Sequence, residues 1–436
     1  MVNQKRIFFL LGEKSAYNSS FILARELEQK GYIVLYLVFG REAKYIKDNG
    51  FRYELLDPRQ SRKRHLRGLG AYVKYYYIYQ YIVNRKIEQL ILRDRPCLCL
   101  VNVLSLPLTV KLLRHQVPVV NYVNEFVYRF SNKVPAVFSA LPPGEEWYRG
   151  IANVYSWIST YFQFCRKKGL FCLYGLFWLS RRPFRKLDYL REIRSYGGIY
   201  YWCEYGYRLK APDYFSFAAE IDIPGKKHRS AFVYGGAHIY RDRNDNTFFE
   251  LKAREGQKII YCSLGTWSLQ HLKQRERLDF YNQLLAAVGP QPHLYLVLSL
   301  PKEDLENLLL PIPKNVQVHS FVPQLKVLSA TDVFITHGGS SSIKEAISFG
   351  VPMIVFPGAV DQPGNAARVV YHKLGVRGNF RRVSSKKIAR MINYILSNRE
   401  IKAAVHDFKQ MSGTQYGCSK GVSFLEDMIN TRRLPM

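Results

Sequence analysis

The sequence is short of acid. Only 34 Asp and Glu residues stand against 64 Lys and Arg, a formal net charge of +30 over 436 residues. Such a surplus suits nucleic acid, an anionic membrane surface or acidic substrates, and a basic host proteome would also produce it. No nucleic-acid motif accompanies the charge, which is spread along the chain, so no nucleic-acid partner is expected. Long apolar runs are also missing. The amino-terminal run stops at Gly12, too short for a secretory signal, and no stretch of about 18 uncharged apolar residues predicts a spanning helix. The seven cysteines form no C-x-x-C pair, which argues against zinc and redox frameworks. Cys97 and Cys99 alternate in a strand-like run and are expected on opposite faces of a sheet. Reduced thiols and a cytoplasmic location, peripheral on the inner membrane face if the basic charge serves that purpose, are the expectation. Repeats and low-complexity tracts are absent. With 47% hydrophobic residues the chain is globular, and its length suits two domains with full cores.

One stretch, Phe321 to Arg368, carries most of the chemistry. It reads as two strand–turn–helix units. Val333–Thr336 suits a buried parallel strand and runs into His337-Gly338-Gly339. Three serines and a helical run to Phe349 follow, closed by Gly350. Val351–Phe356 is the next strand, leading to Asp361-Gln362-Pro363-Gly364 and another helix. A glycine-rich turn before a helix presents free N–H groups and the positive end of the helix dipole to phosphate. Ser340, Ser341 and Ser342 are expected to cap the helix and to donate to the same anion. His337 adds a donor. Glu345, one turn further on, suits two vicinal sugar hydroxyls, and Asp361 and Gln362 offer an acceptor and an amide. Phosphates in the middle and hydroxyls at both ends describe a nucleotide-sugar. The plainer alternative is an ordinary α/β crevice with a serine N-cap, a solvated Glu345 and a core or surface His337.

Phe-x-Pro-Gln, His-Gly-Gly-x-x-Ser-x-x-Glu, Gly-Val-Pro and Asp-Gln-x-x-Asn-Ala together resemble the donor-binding signature of the family 1 glycosyltransferases. Those are UDP-sugar-dependent inverting enzymes of α/β class and GT-B architecture, two Rossmann-like domains facing across a cleft. The resemblance implies nucleobase stacking on Phe321 with a backbone contact at Val322, and ribose contacts from Gln324 and Glu345. It implies phosphate contacts from His337, Ser341 and Ser342 around the Gly338-Gly339 turn, and sugar-hydroxyl contacts from Asp361 and Gln362, with glucose favoured. A looser likeness reaches back to Ile259–Ser263, a strand, and Leu264-Gly265-Thr266, where Gly265 shapes the turn and Thr266 touches the β-phosphate. The layout implies an acceptor-binding domain over 1–240, a donor-binding domain over 241–436 with Arg241–Asp245 as linker, and a last helix returning to the first domain, for which Ala403–Met411 is the candidate. No metal is implied: the donor loop has no Asp-x-Asp pair, and the UDP-sugar is a co-substrate, not a cofactor.

The first half opens as a βαβ unit: strand Arg6–Leu11, turn Gly12–Ser20, helix Phe21–Lys30, strand Ile33–Val38. A helix is expected near Arg41–Asn49. Ser61–Arg95 interleaves arginines and tyrosines, as a long helix with a solvated face or as an interaction surface. Cys97–Val103 and Val117–Val123 read as further strands. Tyr148–Lys186 holds two aromatic amphipathic runs, each followed by a basic cluster. Core helices of the first domain, the lining of a hydrophobic acceptor cleft, and a hairpin lying in an anionic bilayer interface all fit it.

The resemblance breaks where chemistry needs a base. A neutral alcohol is a poor nucleophile. The family supplies a histidine in the first strand–helix turn, oriented by an aspartate after a later strand. Those positions fall on Ala16 and on or beside Asn102; Asn18 does fit the turn. Glu13 or Asp361 is then the candidate base. A carboxylic-acid acceptor, already ionised near ~4, needs none. A protein that binds a nucleotide-sugar and serves a partner enzyme needs none either, and an epimerase on the same architecture needs no acceptor.

Overall fold

The computed structural model describes residues 5–40, 42–57, 83–102, 106–126, 133–136, 139, 141, 148–160, 162, 195, 199–202, 206–209, 211–223, 231–236, 239–245, 247–265, 272–309, 311–413 and 418–431. Strands in the first half are β1 (Arg6–Leu10), β2 (Ile33–Phe39), β3 (Tyr53–Asp57), β4 (Leu98–Val101), β5 (Val119–Val123), the hairpin β6 (Ile199–Trp202) and β7 (Gly206–Leu209), β8 (Asp213–Phe215) and β9 (Phe232–Tyr234). The second half holds β10 (Lys258–Ser263), β11 (Leu294–Ser299), β12 (Val316–His319), β13 (Val333–Thr336), β14 (Met353–Val355) and β15 (Gly375–Arg377). Two parallel sheets result. One has the order β3-β2-β1-β4-β5-β8-β9, the other β12-β11-β10-β13-β14-β15.

The strands are apolar on both faces because helices cover both faces. On β1, Ile7 and Phe9 pack with Tyr17 and Leu23 of the Lys14–Gln29 helix. Phe8 and Leu10 point the other way, towards Ile87, Leu90 and Leu112. On β4 the same alternation sends Leu98 and Leu100 to one face and Cys99 and Val101 to the other, while Cys97, just before the strand, packs with Leu98 and so opposite Cys99; both cysteines are free thiols. In each sheet the strand order reverses beside the first strand, between β1 and β4 and between β10 and β13. A parallel sheet leaves a crevice outside the carboxyl ends of its strands at that point, where ligands bind. The turns after β1 and β4 therefore meet at one crevice, and those after β10 and β13 at the other.

Several expectations shift. The helix after β2 is Glu42–Asp48. The Ser61–Arg95 segment is described only from residue 83, and residues 83–94 are helical. Of the paired aromatic runs, residues 149–160 form a helix, while the second run and both basic clusters lie outside the described residues. Ala403–Met411 meets the first half through Phe408 and Met411, which line one pocket with Ala218, Glu220 and Ile221. It belongs to the Arg399–Gly413 helix, whose Ile401 and Val405 pack into the second core. The Ser419–Thr431 helix goes further into the first half: Val422, Leu425, Met428 and Ile429 join the core around Phe9 and Tyr17, and Glu426 pairs with Lys30 at 2.7 Å. Among the described residues no helix is long and apolar enough to cross a membrane.

Candidate active site

The donor side is built at the switch point of the second sheet. β13 delivers His337, and Gly338 follows at φ +85. The serines do not cap the next helix. Its N-cap is Gly339, with no side-chain cap bond, and Ser340 already starts the Ser340–Phe349 helix. Because the N-cap residue has no side chain, the first-turn N–H groups stay available to a ligand. Ser341 Oγ is buried with no hydrogen-bond partner among the described residues, and so is His337 Nδ1. A Cβ on Gly265 would lie 2.5 Å from His337 Cε1, and one on Gly339 would lie 2.7 Å from His337 Nε2. Two glycines thus make room for one imidazole between the turns after β10 and β13. Burial lowers the His337 pKa to about 4, against a hydrogen bond to the Ser263 backbone that raises it, so the ring is neutral at physiological pH. Thr266 lies outside the described residues.

One turn along, the Glu345 carboxylate is gripped from two sides. Gln324 Nε2 donates to Oε2 at 2.5 Å and Arg243 Nη1 to Oε1 at 2.8 Å. A carboxylate has about four acceptor directions, so two remain, the number a ribose diol needs. Gln324 also reaches Ser342 Oγ at 3.4 Å. Arg243 comes from the expected linker and is also paired with Asp245 at 3.2 Å. Burial works against its charge, but the two carboxylates outweigh burial and hold the guanidinium more firmly than usual. The adjacent Asn244 N–H donates to Asn49 Oδ1 of the first domain at 2.9 Å. Phe321 is 44% exposed while Val322 is buried, and Lys14 Nζ sits 5.4 Å from the Phe321 ring centroid.

After β14, Asp361 is the N-cap residue of the Gln362–Tyr371 helix. Asn365 Nδ2 donates to both Asp361 Oδ2 at 2.8 Å and the Gly338 carbonyl at 2.9 Å, so one amide ties the Asp361 loop to the His337–Gly339 turn. Gln362 Oε1 is spent on the Gly358 and Ala359 N–H groups, at 2.8 and 3.1 Å.

Across the cleft, the substituted positions have structural duties. Ala16 is fully buried. Asn102 donates through Nδ2 to the Leu11 carbonyl at 2.9 Å, fixing the turn after β1. Asn18 accepts from Tyr45. Glu13 stands in that turn, its pKa raised by burial against a bond to Ser15. Sequence reasoning missed its neighbour. Glu125 follows β5 on the same sheet edge, and its Oε2 is buried with no hydrogen-bond partner among the described residues. Burial first, then the charges of Glu13 and Asp361, hold this carboxyl well above the usual range; Lys344 pulls it down. Lys344 comes from the Ser340–Phe349 helix of the donor side, and its ammonium donates to Asn124 Oδ1 at 2.7 Å and the Ser216 carbonyl at 3.0 Å. Burial lowers the Lys344 pKa, against Glu125 and Glu345, which raise it. Residues missed from the sequence (Glu125, Lys344, Arg243) lie at tertiary junctions that no local pattern marks.

Two Rossmann-like parallel sheets, with an anion-ready turn at the switch point of the second, give the chain a GT-B arrangement. The comparisons agree. Residues 283–415 match the family described as "Erythromycin biosynthesis protein CIII-like, C-terminal domain". The chain is 32% identical to "Uncharacterized UDP-glucosyltransferase YdhE" of Bacillus subtilis (strain 168) over 38% of its own length and 41% of that protein's. It is 38% identical to "Oleandomycin glycosyltransferase" of Streptomyces antibioticus over 25% of its length and 24% of that protein's. In both cases the match spans less than half of the relative. The fold match is wider: the "Glycotransferase of kitacinnamycin" superposes with a TM-score of 0.68 at 20% identity, covering 98% of this chain and 99% of that one. The fold is thus that of GT-B glycosyltransferases, and the sequence likeness to glycosyltransferases lies in the second half of the chain.

Proposed function

We propose that this chain is an inverting glycosyltransferase that moves a hexose from a UDP-sugar to a hydrophobic small-molecule or lipid acceptor. The observation that carries the reading is the donor half: the His337–Gly339 turn at a helix N-terminus, one turn from a Glu345 carboxylate held by Gln324 and Arg243. In this reading the nucleobase lies on Phe321, the ribose diol on Glu345, and the diphosphate on the turn amides, Ser341 and a neutral His337. The hexose extends towards Asp361. An acceptor oxygen from the first domain attacks the anomeric carbon from the opposite face. The bond to the diphosphate breaks, and its electron pair leaves on UDP. Fixed N–H dipoles at the helix terminus stabilise that charge without reorganising.

The relatives support the chemical class. One is named for UDP-glucose-type transfer and one for oleandomycin, a small-molecule acceptor. For the acceptor side, Ile151 and Tyr155 of the helix at 149–160 are each 71% exposed. We assign this apolar ridge to a greasy acceptor or, as the finer alternative, to an anionic membrane surface. Flotation with anionic vesicles at moderate salt decides the latter, and protein left at the bottom removes it. A second reading, a nucleotide-sugar-binding partner of another enzyme, rests on Ala16 and on the structural bond of Asn102.

The deciding experiment is UDP release from a panel of UDP-sugars with lipid, polyketide, phenol and fatty-acid acceptors, wild type beside His337→Ala. Acceptor-dependent release that falls about 10²-fold or more in His337→Ala is expected. Tight UDP binding without release for any acceptor favours the partner reading. No UDP binding overturns both.

A further inference from the structure

The Proposed function leaves a proton without a destination, and the inference here rests on that reading. We propose that Glu125 is the base that takes the acceptor's proton, with Glu13 as the neighbouring carboxylate that keeps it poised. Three observations carry this. First, Glu125 follows the carboxyl end of β5, beside β4 on the same sheet as the turn after β1. It therefore lies on the crevice edge that already holds Glu13 and Asn102. Second, Glu125 Oε2 is buried and has no hydrogen-bond partner among the described residues. A buried carboxylate oxygen without a donor costs free energy, and a substrate O–H is the kind of group that would satisfy it. Glu13, by contrast, is engaged by Ser15. Third, Glu125 interacts electrostatically with Glu13 from its own domain and with Asp361 from the sugar loop of the other. Its carboxylate thus feels charges from both halves, as a base acting where acceptor and sugar meet must.

The step balances. The acceptor O–H gives its proton to a Glu125 carboxylate oxygen, and the acceptor oxygen forms a bond to the anomeric carbon. The anomeric C–O bond to the diphosphate breaks, and its electron pair departs on UDP. Glu125 returns the proton to solvent after product leaves. Like charges around the carboxylate make it a stronger base than an ordinary glutamate. The charges that act on it are those of Glu13, Asp361 and Lys344.

The test compares Glu125→Gln and Glu13→Gln with wild type on two acceptors of one skeleton: 2-naphthol, which must lose a proton, and its dinitro derivative, already ionised. UDP affinity by calorimetry and the thermal midpoint check the fold. Expected for Glu125→Gln is a loss of about 10²-fold or more in kcat with naphthol, transfer to the dinitro compound within a few-fold of wild type, and unchanged UDP affinity. For Glu13→Gln the acid limb of the naphthol pH profile moves to lower pH, because a negative neighbour of Glu125 is gone. Equal losses on both acceptors, no loss at all, or the naphthol-selective loss appearing in Glu13→Gln instead overturns the proposal. Wild type that binds UDP but transfers to neither acceptor overturns the transferase reading itself, and the proposal falls with it.

Discussion

At Gly265 a single methyl group decides the position of the imidazole. The residue has φ +66, and its added Cβ would lie 2.5 Å from His337 Cε1. Gly265→Ala therefore carries backbone strain and displaces His337 from its place beside the phosphate turn. UDP binding weakened about tenfold or more, with a modest fall in the thermal midpoint, is the expected calorimetric outcome; unchanged affinity would show that the ring position does not matter to the diphosphate. Arg243 makes a second residue-scale case. Its side chain is 7% exposed and faces the Glu345 and Asp245 carboxylates, themselves nearly buried. Arg243→Met leaves two buried carboxylates without their cation, a loss of about 3–5 kcal/mol in chemical denaturation. The residues of the phosphate turn were legible in the sequence because glycine spacing, a strand before and a helix after are local signals. Arg243 was not: it reaches Glu345 across 102 positions, and in sequence it looked like an ordinary linker charge.

At the scale of elements, the last two helices show where periodicity stops. Arg399–Gly413 and Ser419–Thr431 are both amphipathic. Periodicity identifies two helices with a buried face, but it does not say which sheet each one covers. The second covers the first sheet, where Gly421 lies against Tyr214. A Cβ there would be 2.2 Å from Tyr214 Oη. Gly→Ala inside a helix normally stabilises by roughly 1 kcal/mol. Here Tyr214 is a fully buried core residue stacked on Tyr122, so overpacking reverses the sign. Gly421→Ala is expected to destabilise by about 1–3 kcal/mol, read as a lower denaturant midpoint, and a gain would mean that the helix does not dock as closely as described. The serine caps failed for a related reason. Serine favours the N-cap, but the positive-φ Gly338 sets the chain direction so that Gly339 occupies that place.

At the scale of the whole molecule, the doubly wound architecture was legible because the central strands of the two large sheets, β1, β2, β4 and β5 in one and β10, β11, β13 and β14 in the other, are mostly buried and read as largely apolar runs. The polar coupling between the halves was not, since it is made by side chains that meet only in the folded chain. Lys344 is the deepest of these. Its ammonium leaves the donor-side helix and bonds to Asn124 and Ser216, beside the Glu125 carboxylate of the acceptor side. The two halves thus share one electrostatic site, and a change on one should be read on the other. Lys344→Met removes the cation that favours ionised Glu125, while the like charges of Glu13 and Asp361 stay. Glu125 then holds its proton to higher pH. Because only the ionised carboxylate accepts a proton, the acid limb of the pH–kcat profile must move to higher pH in Lys344→Met. In Glu13→Gln it moves to lower pH. UDP affinity measured at fixed pH separates this from a distorted donor site: a displaced limb with affinity within a few-fold of wild type supports the coupling. A limb that stays in place in both variants means that Glu125 does not set it, and that the proton leaves the acceptor by another route.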